Sequence, residues 1–328
     1  MADDLVHPRD VYAYEHGDAV ERPFESAMAR GRLHHGWLLT GPEGVGKATF
    51  AYRAARRLLG AAPDPAYGLL GAGPEDRVSR LVAARAHPDL MVLDRYGDDG
   101  KLRRTIPVDD ARRLPEFFSK APAMGGWRVA IVDSVDDMNL SAANALLKIL
   151  EEPPQRGVLL LVSHAPGGLL DTIRSRCRKL RFMPWAEDAV AAFVAARTEL
   201  NPEQVLRLAR MAAGSPGRAL ALAGGGALAA DDAAREIMGA LPDPDVTAVQ
   251  AAVESFRGGE GADRFRLLIE RLSDHVRRRA LTAHAGGSRW ADVWARLSDL
   301  PGEVEGLNLD RGDAFMTAVG ELRAAARN

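Results

Sequence analysis

Gly41-Pro42-Glu43-Gly44-Val45-Gly46-Lys47 spells a phosphate-binding loop, G-x-x-x-x-G-K. In such a loop, backbone N–H groups and the lysine ammonium hold phosphate oxygens. The next position ordinarily carries Ser or Thr, whose hydroxyl ligates Mg²⁺. Here it is Ala48. Gly41, Gly44, Gly46 and Lys47 keep the cradle, and the metal ligand is lost. Thr49 does not replace it, because one residue along a helix turns a side chain by about 100°.

Asp133 closes the apolar run Val129-Ala130-Ile131-Val132. A carboxylate at the end of such a strand holds Mg²⁺ in P-loop ATPases. A Glu would normally follow and activate the attacking water, but the residue is Ser134. Its hydroxyl is no base at neutral pH. Ala48 and Ser134 both damage the same hydrolytic machinery and point to a silent site.

Arg176 lies in the basic run Thr172-Ile173-Arg174-Ser175-Arg176-Cys177-Arg178-Lys179-Leu180-Arg181. Arginine is always protonated and offers a planar fork matched to phosphate. It is the side chain suited to reach a γ-phosphate as an arginine finger. A solvated basic face is the plainer alternative. Cys177 reads as a small buried side chain beside the finger. His34, His35 and His87 lack the i, i+4 spacing of a helical metal site.

These residues need elements to hold them. Trp37–Thr40 is a short apolar strand before the loop, and Thr49–Leu59 has helical spacing with Gly60 as its stop. Val158–Ser163 is another apolar strand. Ser141–Glu151 is an amphipathic helix ended by Pro153-Pro154. Strands this apolar suit a parallel sheet covered on both faces, so the fold expected is α/β. The 60–89 stretch is rich in Gly, Ala and Pro and resists assignment.

After Pro184 strand signals vanish. Helices are expected over 186–200 and 203–213, with a turn at Gly214-Ser215-Pro216-Gly217 and a break at Gly224-Gly225-Gly226. The 229–328 stretch reads as helical, interrupted near Gly258-Gly259 and Gly286-Gly287. Trp290 and Trp294, four apart, are expected to pack on one helix face.

The 328 residues suit two or three domains. A net charge of −2 gives no global basic field to attract nucleic acid. One cysteine allows no internal disulfide and no multi-cysteine zinc site. The opening Ala2-Asp3-Asp4-Leu5 has no secretory character. With no apolar run of membrane length, a cytoplasmic protein is expected.

Leu140-Ser141-Ala142-Ala143-Asn144-Ala145-Leu146-Leu147-Lys148-Ile149-Leu150-Glu151-Glu152-Pro153-Pro154, followed by Ser175-Arg176-Cys177, resembles the clamp-loader branch of AAA+ proteins. Gly214-Ser215-Pro216-Gly217-Arg218-Ala219-Leu220 is similar to that family's second-domain motif, and Asn308-Leu309-Asp310-Arg311 to its C-terminal pattern. The resemblance implies an α/β P-loop AAA+ domain over 1–184, a small helical lid over 185–228 and an all-α collar over 229–328. The collar would join a five-subunit ring that loads the sliding clamp onto primed DNA for DNA polymerase III. With its decayed loop, the chain is most similar to the stationary, non-hydrolysing member.

By the same resemblance, Arg176 is a finger acting in trans. Arg218 is the lid's sensor, and Ser163 or His164 lies near the first sensor. The partners implied are the ATPase motor (tau/gamma) and delta subunits, with clamp and primer-template DNA met through the assembled complex. ATP or ADP would be held weakly at the degenerate loop. Many relatives carry a four-cysteine zinc module, and one cysteine leaves no such module here. Two other readings stay open. One is an active motor in which Lys47 and Asp133 suffice. The other is a nucleic-acid-binding protein using Arg271, Arg277, Arg278 and Arg279.

Overall fold

A computed structural model of the chain describes residues 6–96, 102–282 and 287–327. It divides into two compact units. One holds the residues up to Arg197 together with Ala209–Leu220, and the other holds Thr198–Leu208 and the chain from Ala221 onward.

The first unit is built on a five-stranded sheet. Its strands are β1 (Gly36–Thr40), β2 (Leu90–Asp94), β3 (Arg128–Asp133), β4 (Gly157–Ser163) and β5 (Arg178–Arg181), in the order β2-β3-β4-β1-β5. Every neighbouring pair is parallel. Period-two alternation splits the central strands between two cores. Trp37, Leu39, Val129, Ile131, Val158, Leu160 and Val162 pack on one face. There they meet Phe24 of α1 (Asp18–Ala29), Phe50 of α2 (Lys47–Leu58) and Val82 of α3 (Arg77–Ala83). Leu38, Ala130, Val132, Leu159 and Leu161 face the other way. There they meet Leu114 of α4 (Val108–Ser119), Leu146 of α5 (Leu140–Glu151) and Ile173 of α6 (Asp171–Ser175). A sheet apolar on both faces demands helices on both, which is the α/β architecture expected.

The strands carrying the loop and Asp133 lie where the sequence places them. β2 and β5 are additions to that reading, and α3 fills part of the unassigned 60–89 stretch. α7 (Glu187–Ala195) is shorter than the 186–200 expectation. The next helices, α8 (Pro202–Met211) and α9 (Pro216–Gly224), each contribute residues to both units.

The second unit is helical among its described residues. It contains α10 (Ala227–Gly239), α11 (Val246–Ser255), α12 (Gly261–Thr282), α13 (Gly287–Leu307) and α14 (Arg311–Arg327). Phe256, Phe265, Leu272, Trp290, Phe315 and Leu322 form its core. Trp290 is buried as expected, but Trp294 is 39% exposed, so the two do not share one buried face. Arg271 also departs from expectation. It is 1% exposed and ion-paired with Glu270 at 3.0 Å and Asp274 at 3.2 Å. It therefore offers no charge to a nucleic acid. Arg279 lies over the Trp290 ring, 4.6 Å from its centroid. Among the described residues, no helix is long and apolar enough to cross a membrane.

Candidate functional site

β1 delivers the phosphate loop. Thr40 ends the strand, and Gly46, at φ +96°, turns the chain into α2 with Lys47 as the first helical residue. Only glycine takes such a backbone without strain.

Lys47 is 3% exposed. Its Nζ donates to Gly41 O at 2.6 Å and Pro42 O at 2.5 Å, and faces Nδ1 of His164 at 2.9 Å. Burial lowers its pKa to about 8, against the pull of the Asp133, Glu43 and Asp136 charges. Burial and then the Lys47 charge hold His164 below its ordinary range, so a neutral ring accepts from the ammonium.

His164 is fixed from behind. Asp136 accepts from Ser163 Oγ at 2.9 Å and His164 N at 2.5 Å. Nothing in the residue pattern assigns Asp136 to the site, and this clamp on the end of β4 places it there. Burial, followed by the Asp94 charge, raises the pKa of Asp133 to about 6, with Lys47 opposing. Ser134, where a water-activating carboxylate would stand, is buried and donates its hydroxyl to Asp137 Oδ2 at 2.9 Å.

Two further contacts close the loop. Ser215 Oγ donates to Glu43 O at 2.6 Å, and Gly217 N donates to Gly44 O at 2.9 Å. The approach is close enough to require glycine on both sides. A Cβ on Gly44 would stand 2.4 Å from Ser215 Oγ and 2.8 Å from Arg218 N, and one on Gly217 would stand 3.0 Å from Gly44 O. The backbone of Arg218 is thereby brought to the loop. Tyr14 covers the other end. Its ring lies 2.6 Å from where a Gly46 Cβ would be, and burial pushes its hydroxyl pKa up.

The residues present do not fit a Mg²⁺–nucleotide as they stand. An ammonium has three N–H donors. The chain supplies Lys47 with three acceptors of its own. Ala48 has no hydroxyl for the metal, and the Ser215–Gly217 turn is already seated on Glu43 and Gly44.

Arg176 lies elsewhere. It follows α6, and its backbone leads into β5, where Arg178 pairs with Trp37 near the start of β1. The phosphate loop leaves the opposite end of β1. The guanidinium donates from Nη1 to Thr172 O at 3.1 Å and is ion-paired through Nη2 with Glu151 Oε1 at 3.0 Å. Cys177 beside it is buried, and burial pushes its thiol up to about 12, which suits packing and not nucleophilic chemistry. His35 Nε2 donates to Leu150 O at 3.2 Å, a structural role. Thus Gly41, Gly44, Gly46, Lys47, Asp133 and the Arg218 backbone gather at one end of the sheet, and Arg176 stands apart.

A parallel sheet in this order, with a phosphate loop after β1 and a carboxylate ending β3, defines a P-loop protein of the AAA+ class. The family model described as DNA polymerase III, delta subunit, matches residues 17–186. The chain belongs to the delta-prime family of DNA polymerase III subunits. It is 37% identical over 210 residues to DNA polymerase III subunit delta′ of Pseudomonas aeruginosa, covering 62% of each chain. With the delta′ subunit of Escherichia coli it shares 35% over 202 residues, covering 61% of this chain and 58% of that one. The chain thus spans about three fifths of the length of these relatives. The gamma/tau subunit of Mycobacterium tuberculosis is 35% identical over 173 residues, or 53% of this chain and 28% of that one. Among solved structures, a DNA polymerase III gamma-subunit-related protein from Thermotoga maritima is 18% identical with a TM-score of 0.49, covering 94% of this chain and all of that one.

Proposed function

We propose that this chain is a non-hydrolysing clamp-loader subunit that helps load a sliding clamp onto primed DNA. In this reading, Arg176 acts in trans on a nucleotide held by a neighbouring ATPase subunit. The observation that carries it is the placement of Arg176 at the far end of β1 from its own phosphate loop. A guanidinium so placed has no phosphate of its own chain to reach. At the loop itself, Lys47 is satisfied internally, and Ala48 and Ser134 supply neither metal ligand nor base.

The 185–228 segment is the lid in this reading, with Arg218 at its sensor position, and 229–328 is the collar that joins the ring. The partners are the tau/gamma motor and delta subunits, with clamp and primer-template DNA reached through the complex. ATP or ADP at the loop binds weakly at most. The test is ATP turnover by the pure chain, and then by the chain mixed with motor and delta subunits. No turnover alone and DNA-stimulated turnover in the mixture is expected. Steady Mg²⁺-dependent turnover by the pure chain, abolished by Lys47→Ala, would establish an active motor instead.

A further inference from the structure

Glu151 is the last residue of α5, and its carboxylate is the partner of the Arg176 guanidinium at 3.0 Å. Its position is locally unfavourable. The C-terminal end of a helix carries partial negative charge and disfavours carboxylates. Two of them follow one another here, Glu151 and Glu152, with Lys148 the only basic residue in the last turn. Arg176 offsets that charge.

The packing makes the pairing a built feature. Gly36 begins β1 between the end of α5 and the turn that bears Arg176. A Cβ on Gly36 would stand 2.7 Å from Leu150 Cδ2, 3.3 Å from Cys177 Sγ and 3.5 Å from Arg176 O. The missing side chain lets Leu150 and Cys177 close over the strand. Their sequence neighbours, Glu151 and Arg176, are thereby brought side by side.

Both terminal nitrogens of the guanidinium thus face acceptors of their own chain, Thr172 O and Glu151. A bidentate grip on phosphate uses two N–H groups of the fork. Holding both partners spends two of the five N–H donors of Arg176 and sets the direction of the fork from its own chain. The side chains of Arg176 and Glu151 are 37% and 51% exposed, so the pair is open to exchange.

We propose that Glu151 is a positioning residue that parks Arg176 on its own subunit, and that the phosphate of a nucleotide on an adjoining subunit takes the guanidinium from it. This rests on the trans-finger reading above. Phosphate carries more charge than a carboxylate and accepts the fork through two oxygens, so it wins the exchange. The carboxylate lowers the apparent affinity for that nucleotide by the factor an exposed ion pair is worth, roughly 1.5- to 5-fold.

The test uses a reconstituted complex in which only the motor site adjoining this chain keeps its phosphate-loop lysine. Glu151→Gln keeps the shape and removes the charge. The expected result is a KM for ATP lowered roughly 1.5- to 5-fold, with kcat moving much less. The gain should shrink as salt rises, and it should vanish in an Arg176→Ala background. A raised KM or a fallen kcat would mean that Glu151 pre-organises the finger and does not park it, which overturns the proposal. A gain that persists without Arg176 also overturns it. If Arg176→Ala lowers turnover and Glu151→Gln changes nothing, the finger stands and the parking role fails. If Arg176→Ala changes nothing, the finger reading fails and takes the proposal with it.

Discussion

Lys47 and Arg176 are served by opposite ends of the same strand. Lys47 follows the loop that leaves Thr40, and the backbone of Arg176 enters β5 beside Trp37. Strands rise about 3.3 Å per residue, so the length of β1 alone separates these ends by roughly 13 Å. One nucleotide phosphate cannot be held by Lys47 and touched by Arg176 of the same chain. The geometry divides the chain into a closed loop at one end and a guanidinium held by Thr172 and Glu151 at the other.

Arg176→Ala should therefore leave this chain folded. The residue is half-exposed and its ion pair contributes at most about 1 kcal/mol. If Arg176 acts in trans as proposed, the loss should appear in the assembled complex as ATP turnover at one site. Fingers are worth about 10³–10⁵ there, and other motor sites dilute the fall in total activity. Arg176→Lys should rescue only in part, since an ammonium lacks the planar fork. Clamp- and DNA-stimulated ATPase of the reconstituted complex is the measurement. Equal rates for wild type and Arg176→Ala would make the Ser-Arg-Cys turn structural.

Asp133 and Lys47 predict a pH dependence of stability. The folded pKa of Asp133 is raised to about 6 from 3.8. Its contribution is thus fully present below the unfolded value and lost as pH rises through about 6. Lys47 is lowered to about 8 from 10.5, so its contribution is present above the unfolded value and lost as pH falls through about 8. Asp133→Asn should remove the fall on the acid side. The variant should gain on wild type between pH 4 and 6, by on the order of 1–3 kcal/mol at neutral pH. Urea midpoints across that range test this, and parallel curves for the two proteins would refute it.

The part of this fold written locally was legible. Continuous apolar runs marked β1, β3 and β4, and glycine spacing marked the loop. β5 was hidden because only Leu180 of Arg178-Lys179-Leu180-Arg181 is buried. An edge strand can carry charges on its exposed positions, and such a strand reads as a basic run. The closure of the loop left no local trace, since Ser215 and Glu43 are 172 positions apart. Glu151 stood in plain view within a motif. Helical periodicity, however, says nothing about what meets the end of a helix. Trp294 shows the converse error, where four-residue spacing implied a shared face and the structure exposes one ring.

Gly36→Ala should disturb the Arg176 turn through its packing. The new Cβ would stand 2.7 Å from Leu150 Cδ2 and 3.3 Å from Cys177 Sγ. Overpacking of this kind costs about 1–3 kcal/mol. Because the strain falls between α5 and the Arg176 turn, complex ATPase should fall while loop contacts persist. Leu150→Ala alone leaves a cavity and costs about 2–5 kcal/mol. Combined with Gly36→Ala it should cost less than the two together, because the added methyl occupies vacated space. Strict additivity in urea unfolding would show that the two side chains do not compete for one volume.

The closed loop is testable at one amide. Gly217 N–H donates to Gly44 O at 2.9 Å, so it should exchange slowly with solvent in the native protein. Gly44→Ala attacks this contact in two ways. The residue sits at φ +74°, where a side chain is strained, and its Cβ would lie 2.8 Å from Arg218 N. Backbone cannot yield as a flexible side chain does, so the segment around Gly217 must lift. The strain and lost contacts should cost roughly 1–3 kcal/mol. Ser215→Ala removes only the 2.6 Å bond to Glu43 O and should cost less, about 1 kcal/mol. The expected order of Gly217 protection is wild type, then Ser215→Ala, then Gly44→Ala. Exchange at Gly217 as fast in wild type as in an unstructured peptide would mean that Ser215 and Gly217 do not hold the loop shut.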